Sequence, residues 1–486
     1  MYKIVGKNGQ EWRVVIGLEV HAQIISNAKL FSKSSNSFDN KPNANVSFFD
    51  MALPGTLPVI NTQCINQAIK AGKAINGTIE KYSRFDRKNY FYPDLPSGYQ
   101  ISQFFHPIVT NGELDIDLED GSTKNIRIER IHMEQDAGKS IHLNNSNKTY
   151  IDLNRSGVGL MEIVSYPDIS SPYEAAAYLK KLRLILKYIG VCDGSMECGS
   201  LRCDANVSVC HIDSTTLGTR CEIKNLNSMR YIMQAIEYEA NSQVEAIENG
   251  EEIIQSTKSF NVETGETKVL RKKEEASEYR YFPEPDLLPI ILTDERINDA
   301  LKDFPELPDI KKKRYINDLK LSKADADLIT SERMTVDYFE NAICGIENDA
   351  KTLANLMIVE LFGLLNKNEI SLNDTKVTPD HLKELVTLIK ANIISSKIAK
   401  DVLLEAFNSG KMPKDIVKDK GLEQVTDIET LTKIIDDIIN NNPDNVAKYK
   451  EGKTKLFGFF VGEAMKVTKG KANPQTINDL LKSRLN

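Results

Sequence analysis

Long apolar runs are absent from this chain of 486 residues. No stretch approaches the roughly 18 consecutive apolar residues that cross a bilayer as a helix, so the sequence predicts no membrane protein. Residues 1–10 contain neither an apolar segment nor an arginine-rich one, and we expect no targeting signal and a cytoplasmic location. Disordered and collagen-like chains are also excluded, because 41% of the residues are hydrophobic and 27% are charged, close to globular averages.

Cysteine is scarce, with seven residues in the whole chain. An odd and sparse count favours reduced thiols over a disulfide framework. Five of the cysteines fall between positions 192 and 221, but no Cys-x2-Cys pair occurs there, and strand alternation places Cys203 and Cys221 on apolar faces. We therefore expect buried thiols and no zinc. A zinc-dependent enzyme stays open as an alternative, and it predicts stoichiometric zinc in the purified chain.

A phosphate-binding P-loop is missing as well. Gly452, Lys453 and Thr454 resemble the end of such a loop, but Ala447 stands where its first glycine is required. If the protein uses ATP, other residues must hold it.

The texture of the sequence changes once along the chain. Short alternating runs with Pro and Gly clusters dominate the first part, which predicts an α+β domain built on a largely antiparallel sheet over residues 1–292. Two helices are marked within it, one capped by Ser171 and closed by Gly190, and one over residues 229–248. Helical periodicity then predicts a helical domain over 293–406 and a small all-α tail domain over 407–486.

Acidic and basic side chains share one face of several predicted strands. Glu19 and His21 alternate with apolar residues between positions 12 and 24, and Arg202 and Asp204 do so between 201 and 209. The same parity joins Arg130, His132, Glu134 and Asp136, and it joins Arg220, Glu222 and Lys224. An ordinary half-exposed sheet also alternates, and that interpretation stays open. Carboxylates beside histidines nevertheless favour a divalent cation.

These side chains suggest a metal-assisted phosphate site. If Glu19, His21, Glu134, Asp204 and Glu222 converge, their mutual repulsion requires a cation. Five basic residues would then suit phosphate oxygens, namely Arg130, Arg155, Arg202, Arg220 and Lys224.

Longer motifs resemble a known family, GatB, which forms part of the aspartyl/glutamyl-tRNA amidotransferases of bacteria and organelles. The resemblance covers essentially the whole chain. It is carried by IGLEVH at 16–21, FYPDLP at 91–96, GYQISQ at 98–103, HMEQDAGK at 132–139, DLNR at 152–155, GSLRCDAN at 199–206, CEIKNLNS at 221–228, YRYFP at 279–283 and GKANP at 470–474.

The resemblance implies a cradle-shaped first domain that carries a kinase and transamidase site. Members of the family form part of a ligase that makes a carbon–nitrogen bond with glutamine as amido donor. ATP and Mg²⁺ convert the side-chain carboxylate of Glu or Asp, misattached to tRNA(Gln) or tRNA(Asn), to an acyl phosphate, and ammonia displaces the phosphate. The metal and catalytic positions carried over from the family are Glu19, His21, Glu134, Glu162, Asp204 and Glu222.

The resemblance also implies partners. Because no convincing Cys-His pair or Ser-Ser-Lys set is readable, ammonia must come from a separate glutaminase. The family resemblance identifies this glutaminase as GatA, with the small protein GatC completing a heterotrimer. We expect Lys88 to line the ammonia route, although a surface lysine is the plain alternative.

The tail is expected to bind the misacylated tRNA. Residues 448–471 contain seven lysines and two glutamates, a local charge of +5 in a chain of net charge −7. The candidate contacts are Lys448, Lys450, Lys453, Lys455, Lys466, Lys469 and Lys471. An amphipathic helix with Phe residues in the core is the alternative for this segment, and both can hold. For the whole chain, the alternative function is a non-catalytic tRNA-binding scaffold.

Overall fold

A sheet-based unit is followed by a helical unit. The computed structural model of the chain describes residues 2–37, 41–143, 147–272, 279–422, 428–468, 472 and 474–485. The chain divides into two compact units, Met1–Leu307 and Pro308–Asn486. The predicted α+β class is confirmed, because strands dominate the first unit and helices the second. The three domain boundaries drawn from the sequence stay a prediction.

One large sheet organises the first unit. Its central strands follow one another in the order β14-β13-β12-β11-β2-β10-β7-β5-β4-β15, with β1 beside β2, β16 beside β4, and β6 beside β3 and β7. Strands β8 and β9 pair separately. Among the described residues, neighbouring strands run antiparallel except β12 and β13, which run parallel. The strands are β1 (Lys3–Val5), β2 (Glu11–Gln23), β3 (Thr78–Ile79), β4 (Tyr82–Asn89), β5 (Tyr99–His106), β6 (Val109–Asp117), β7 (Thr123–Gln135), β8 (Lys139–His142), β9 (Thr149–Asp152), β10 (Gly159–Ser165), β11 (Leu201–His211), β12 (Cys221–Leu226), β13 (Ser256–Asn261), β14 (Glu266–Lys272), β15 (Phe282–Pro283) and β16 (Ile290–Ile291).

The predicted alternation appears in the central strands. Leu18, Val20 and Ala22 of β2 are fully buried, whereas Glu19 and His21 are only partly so. The same pattern holds over the first six residues of β11, and the thiols of Cys203 and Cys221 are buried as predicted. Because side chains alternate between the two faces of a strand, the polar residues of β2 and β11 share one face of the sheet.

Helices cover the apolar face. The helices of this unit are α1 (Thr62–Ala74), α2 (Pro172–Tyr188), α3 (Met229–Glu248) and α4 (Asp294–Ala300). As predicted, the Ser171 hydroxyl caps α2 by accepting from the Glu174 amide at 3.1 Å, and Gly190 follows the helix with a φ of +71°. Helices α2 and α3 pack against each other, and α3 packs on β11. The polar face of the central strands lies on the other side.

The second unit is helical. Its helices are α5 (Pro308–Asn317), α6 (Lys323–Ile329), α7 (Arg333–Ile343), α8 (Ala350–Asn355), α9 (Phe362–Asn368), α10 (Pro379–Lys390), α11 (Ser396–Ser409), α12 (Pro413–Asp419), α13 (Ile428–Asn440), α14 (Pro443–Lys450), α15 (Phe457–Val467) and α16 (Pro474–Leu485). A π-helical turn, Leu356–Leu361, joins α8 to α9, and short 3-10 turns lie at Glu347–Asp349 and Thr454–Leu456. The breaks predicted at Pro379, Pro413 and Pro443 are confirmed, since each proline opens a helix.

Two apolar clusters form the core of this unit. One runs from Tyr315 to Val417 along the chain, and the other joins α13, α15 and α16 through residues such as Leu431, Phe460 and Leu481. Among the described residues, none of the helices in either unit is long and apolar enough to cross a membrane.

Candidate active site

Three predicted ligands converge on the polar face of the sheet. Ligand atoms of His21, Glu134 and Glu162 all lie within 4.8 Å of one another. His21 Nε2 lies 3.5 Å from Glu162 Oε2, so an imidazole and a carboxylate meet directly. We call these three residues the acidic triad.

Strand register explains how distant segments meet in the triad. Glu162 of β10 stands opposite His21 of β2 on one side and opposite His132 of β7 on the other. Glu134 lies two residues beyond His132 on the same face of β7. The sheet therefore joins residues that are more than a hundred positions apart in sequence.

The other three predicted ligands lie beside the triad and outside it. Glu19 Oε1 accepts a hydrogen bond of 2.8 Å from the Asn206 side-chain amide. Asp204 stands opposite Glu19 in the register of β11 and β2. The Lys224 ammonium lies 2.6 Å from Asp204 Oδ2 and 2.8 Å from Glu222 Oε1, so it joins the last two acids into a second group. We call these three residues the Lys224 group.

Two of the predicted phosphate-binding arginines converge on Asp136. Arg202 Nη2 donates to Asp136 Oδ1 at 3.1 Å, and Arg155 Nε lies 3.4 Å from Asp136 Oδ2. Arg155 also donates to the backbone carbonyls of Ala137 and Gly138. These contacts fix the two guanidinium groups at the wall of the site.

The remaining two arginines lie elsewhere. Arg130 donates to its chain neighbour Glu129 at 2.5 Å. Arg220 lines a separate cavity of about 200 Å³ together with Glu19 and Glu129. The structure therefore does not bring all five predicted cations to one wall.

A polar cavity of about 330 Å³ opens at the triad. His21 and Glu134 line it, together with four cationic side chains: Lys88, Arg155, Arg202 and Lys224. Lys88 is partly buried in this wall, and the plain alternative of a surface lysine does not describe its place. Acids and cations thus face one space that can hold a small charged group.

Crowding of the acids shifts their protonation. Burial raises the pKa of Glu19 above its usual range, and the nearby carboxylates Glu162 and Glu222 raise it further. Burial disfavours charge on His21, but the hydrogen bond and the charge of Glu162 outweigh it and raise the His21 pKa to about 9. Burial likewise opposes charge on Glu162, yet His132 and His21 hold its pKa well below the usual value. The site gathers more negative charge than it neutralises around Glu19.

The triad fits a divalent cation. Glu134 Oε2 is buried and has no hydrogen-bond partner among the residues that the structure describes. A buried carboxylate oxygen without a partner costs about 1–3 kcal/mol or more, so a bound cation would relieve a real penalty. Carboxylate oxygens are the donors that Mg²⁺ prefers, whereas an imidazole is less usual for this ion. His21 therefore fits a role as an orienter of Glu162 or as a ligand through water.

His132 is the residue that the sequence analysis missed. Its Nε2 lies 3.2 Å from Glu162 Oε2 and its side chain is almost fully buried. The shared parity of Arg130, His132 and Glu134 was a signal that could have identified it. Asp136, which holds the two arginines, was visible in the same way.

The described lysines of the tail are exposed. Lys448, Lys450, Lys453 and Lys455 all face solvent, whereas Phe460 is buried in the core of the helical unit. The amphipathic arrangement is therefore present. Lys466 is also exposed and lies 3.4 Å from Glu463. The remaining two candidates, Lys469 and Lys471, lie outside the described residues.

Comparison with known proteins agrees with this geometry. Residues 14–298 match the GatB/GatE catalytic domain, and residues 337–485 match the GatB domain. The chain is 54% identical over 485 residues to the B subunit of aspartyl/glutamyl-tRNA(Asn/Gln) amidotransferase from Rickettsia rickettsii (strain Sheila Smith), covering 100% of both chains. It is 56% identical over 476 residues to the protein of that name in Wolbachia pipientis wMel, covering 98% of this chain and 99% of the relative.

The first match alone takes in more than half of the chain and contains the acidic triad, Asp136 and the Lys224 group. The relatives span this chain from end to end. The chain therefore belongs to the GatB/GatE family.

Proposed function

We propose that this chain is the kinase and transamidase subunit of a tRNA-dependent amidotransferase. Its substrate is tRNA carrying a misattached Glu or Asp, and its product carries the amide. Convergence of His21, Glu134 and Glu162 within 4.8 Å at a cavity lined by cations is the observation that carries the proposal. The relatives' name, which specifies an aspartyl/glutamyl-tRNA(Asn/Gln) amidotransferase, supports the substrate class.

The chemistry requires activation of a poor electrophile. The carboxylate oxygen of the misattached residue attacks the γ-phosphorus of ATP, the bond to ADP breaks, and an acyl phosphate forms. Ammonia then attacks the carbonyl carbon, and the carbon–oxygen bond to phosphate breaks as phosphate leaves. Two anions approach each other in the first step, so neutralisation of charge is the main demand on the protein.

Glu134 and Glu162 would hold Mg²⁺, with His21 beside them. When bound, this ion supplies neutralisation of the γ-phosphate and the attacking carboxylate. Glu19, Asp204 and Glu222 remain proposed members of the same site, and a second ion or its waters would suit them. Among the described residues, Lys224 already neutralises part of the charge of Asp204 and Glu222.

The cations of the cavity wall would bind the phosphates. Arg155 and Arg202 are held in place by Asp136, so their guanidinium groups lose little conformational entropy on binding. Lys224 can exchange its carboxylate partners for a phosphate oxygen. Arg130 and Arg220 are proposed for more distant phosphates, since they lie away from this wall.

Ammonia would reach the cavity from a glutaminase partner. The relatives are named as one subunit of an enzyme, which implies further chains, and we propose the glutaminase GatA and the small protein GatC as the partners. Lys88 lines the cavity, and we propose that it lies on the ammonia route. Burial would lower the pKa of Lys88, but the charge of Glu134 and other neighbours raises it, so its ammonium stays charged and cannot itself serve as the base for ammonia.

Trapping of the activated carboxylate tests the proposal. The assembled complex, given Glu-tRNA, ATP and Mg²⁺ without an ammonia source, is expected to form a hydroxamate when hydroxylamine is added. Phosphate release should depend on the charged tRNA. Amide formation without ATP, or with a chain whose site is disabled, would favour the scaffold alternative.

The exposed lysines of α14 and the following turn are proposed to bind RNA phosphates. We expect the triple change of Lys448, Lys450 and Lys453 to Gln to raise the dissociation constant of the charged tRNA on the order of tenfold at physiological salt. The slope of log K against log salt should fall by about 2–3, because each lost phosphate contact removes about 0.9.

The matched control changes three exposed lysines from other helices of the same unit, Lys351, Lys367 and Lys397. Both triple variants lose the same net charge. Equal weakening by the two would mean that charge alone is felt, and unchanged binding in the first would contradict the tail assignment.

A further inference from the structure

A row of aromatic rings leads from the surface of the first unit to the polar cavity. Tyr281 and Phe104 stack with ring centroids 4.0 Å apart and planes 12° apart. Phe105 lies edge-on to Phe104 at 5.0 Å, and Tyr279 lies 6.1 Å from Tyr281. Tyr90 follows at 6.0 Å from Tyr279 and lines the cavity. We call these five residues the aromatic row.

A bulge in the sheet exposes the outer end of the row. Between the pairs Arg84–His106 and Asp86–Ser102, β4 advances by two residues and β5 by four. The extra residues of β5 include Phe104 and Phe105, which are adjacent in sequence and yet 42% and 55% exposed. Bulges commonly re-aim side chains beside active sites. Here the bulge presents two neighbouring rings to solvent, at a cost in exposed apolar area.

A strained turn fixes the inner rings. Arg280, between Tyr279 and Tyr281, has a φ of +46°, a conformation that residues with a side chain rarely adopt. Asn89 holds this turn, because its side-chain amide donates to the carbonyls of Tyr279 and Arg280 at 3.2 and 2.8 Å. Local strain held by specific hydrogen bonds is frequent at ligand-binding sites.

A cation stands where the row meets the cavity. Lys88 Nζ lies 4.9 Å from the Tyr279 ring centroid and 5.9 Å from that of Tyr90. Aromatic rings in succession beside a cation are the features by which proteins bind unpaired nucleic-acid strands. An apolar protein partner would not need the tyrosine hydroxyls or the ammonium.

We propose that the aromatic row stacks the unpaired bases at the 3′ end of the charged tRNA. The inference rests on the proposed function, since the amino acid is esterified to that end and must enter the cavity. The row extends over several rings, which suits successive bases of a strand better than the single adenine of ATP. Stacking would thus guide the ester to the acidic triad.

A fluorescent base tests the inference. The assembled complex is titrated with tRNA whose 3′-terminal adenine is replaced by 2-aminopurine, whose fluorescence falls when the base stacks. Quenching is expected with the native chain and is expected to be largely lost with Phe104→Leu and Tyr281→Leu. Tyr281→Phe keeps the ring and should keep the quenching.

Kinetics separate the outcomes. With Phe104→Leu, the KM for charged tRNA should rise about tenfold, as expected for one lost stacking contact, while the KM for ATP and the kcat at saturating tRNA stay within about threefold. The control is Phe48→Leu, since Phe48 is exposed in the same unit and lies outside the row.

Three results would overturn the inference. They are unquenched fluorescence with the native complex, a rise in the KM for ATP in place of that for tRNA, and loss of the partner chains from the purified Phe104→Leu complex. The last would identify the row as a protein interface. ATP-dependent amide formation by the native complex reports on the proposed function independently of all three.

Discussion

Amide formation is expected to fall by about 10³-fold when Glu134 is replaced by Gln. The change keeps the size of the side chain and removes the charge of a buried oxygen that has no hydrogen-bond partner among the described residues. A loss of this size corresponds to roughly 4 kcal/mol of transition-state stabilisation, since each 1.36 kcal/mol is tenfold. The measurement is the rate of ATP-dependent amide formation by the assembled complex.

Glu113→Gln is the matched control for this change. Glu113 lies on β6, the neighbour of β7, and its side chain is exposed. The control should keep full activity, and both variants should unfold as the native chain does. A Glu134→Gln complex with more than a tenth of the native rate would remove Glu134 from the chemistry.

Replacing Lys29 by Met is expected to lower the free energy of unfolding by about 3–5 kcal/mol. The Lys29 ammonium donates to Asp50 Oδ2 at 3.0 Å, and both side chains are almost fully buried. Burial lowers the pKa of Lys29, and the charge of Asp50 opposes that shift, so each group depends on the other. Without the lysine, the Asp50 carboxylate is left as an unpaired buried charge.

The double change of Lys29 to Met and Asp50 to Asn should recover part of this loss. A neutral amide no longer needs the cation, and its oxygen can still accept from the Ser47 amide, which now donates to Asp50 at 2.8 Å. Urea unfolding followed by the fluorescence of Trp12, the single tryptophan, reports on the first unit. A loss below about 1 kcal/mol in the single variant, or no recovery in the double one, would contradict this account of the pair.

Local features were readable from the sequence because they depend on near neighbours. The cap of α2, the alternation of β2 and β11, and the prolines that open three helices all follow from residues within a few positions of each other. Alternation also gave the correct face for Glu19, His21 and Asp204.

Strand neighbours were not readable, because they depend on tertiary packing. Nothing in the sequence puts β10 between β2 and β7, and that placement alone brings Glu162 to His21 and His132. The division of the predicted ligands into the triad and the Lys224 group depends on the same order of strands. Parity says which face a side chain occupies, not which residue stands opposite.

The aromatic row was missed for a related reason. Two consecutive exposed phenylalanines break the two-residue period of a strand, and their pattern becomes intelligible only with the bulge in β5. Tyr279 and Tyr281 reach this place through β15, which pairs with β4 from nearly two hundred positions away.

Diffraction from crystals of the complex soaked in Mn²⁺, a stand-in for Mg²⁺ with an anomalous signal, tests the central claim most directly. The account predicts an anomalous peak bounded by Glu134, Glu162 and His21, and its loss in Glu162→Gln crystals. A peak at a different place on the chain, with the triad vacant at saturating Mn²⁺, would contradict it.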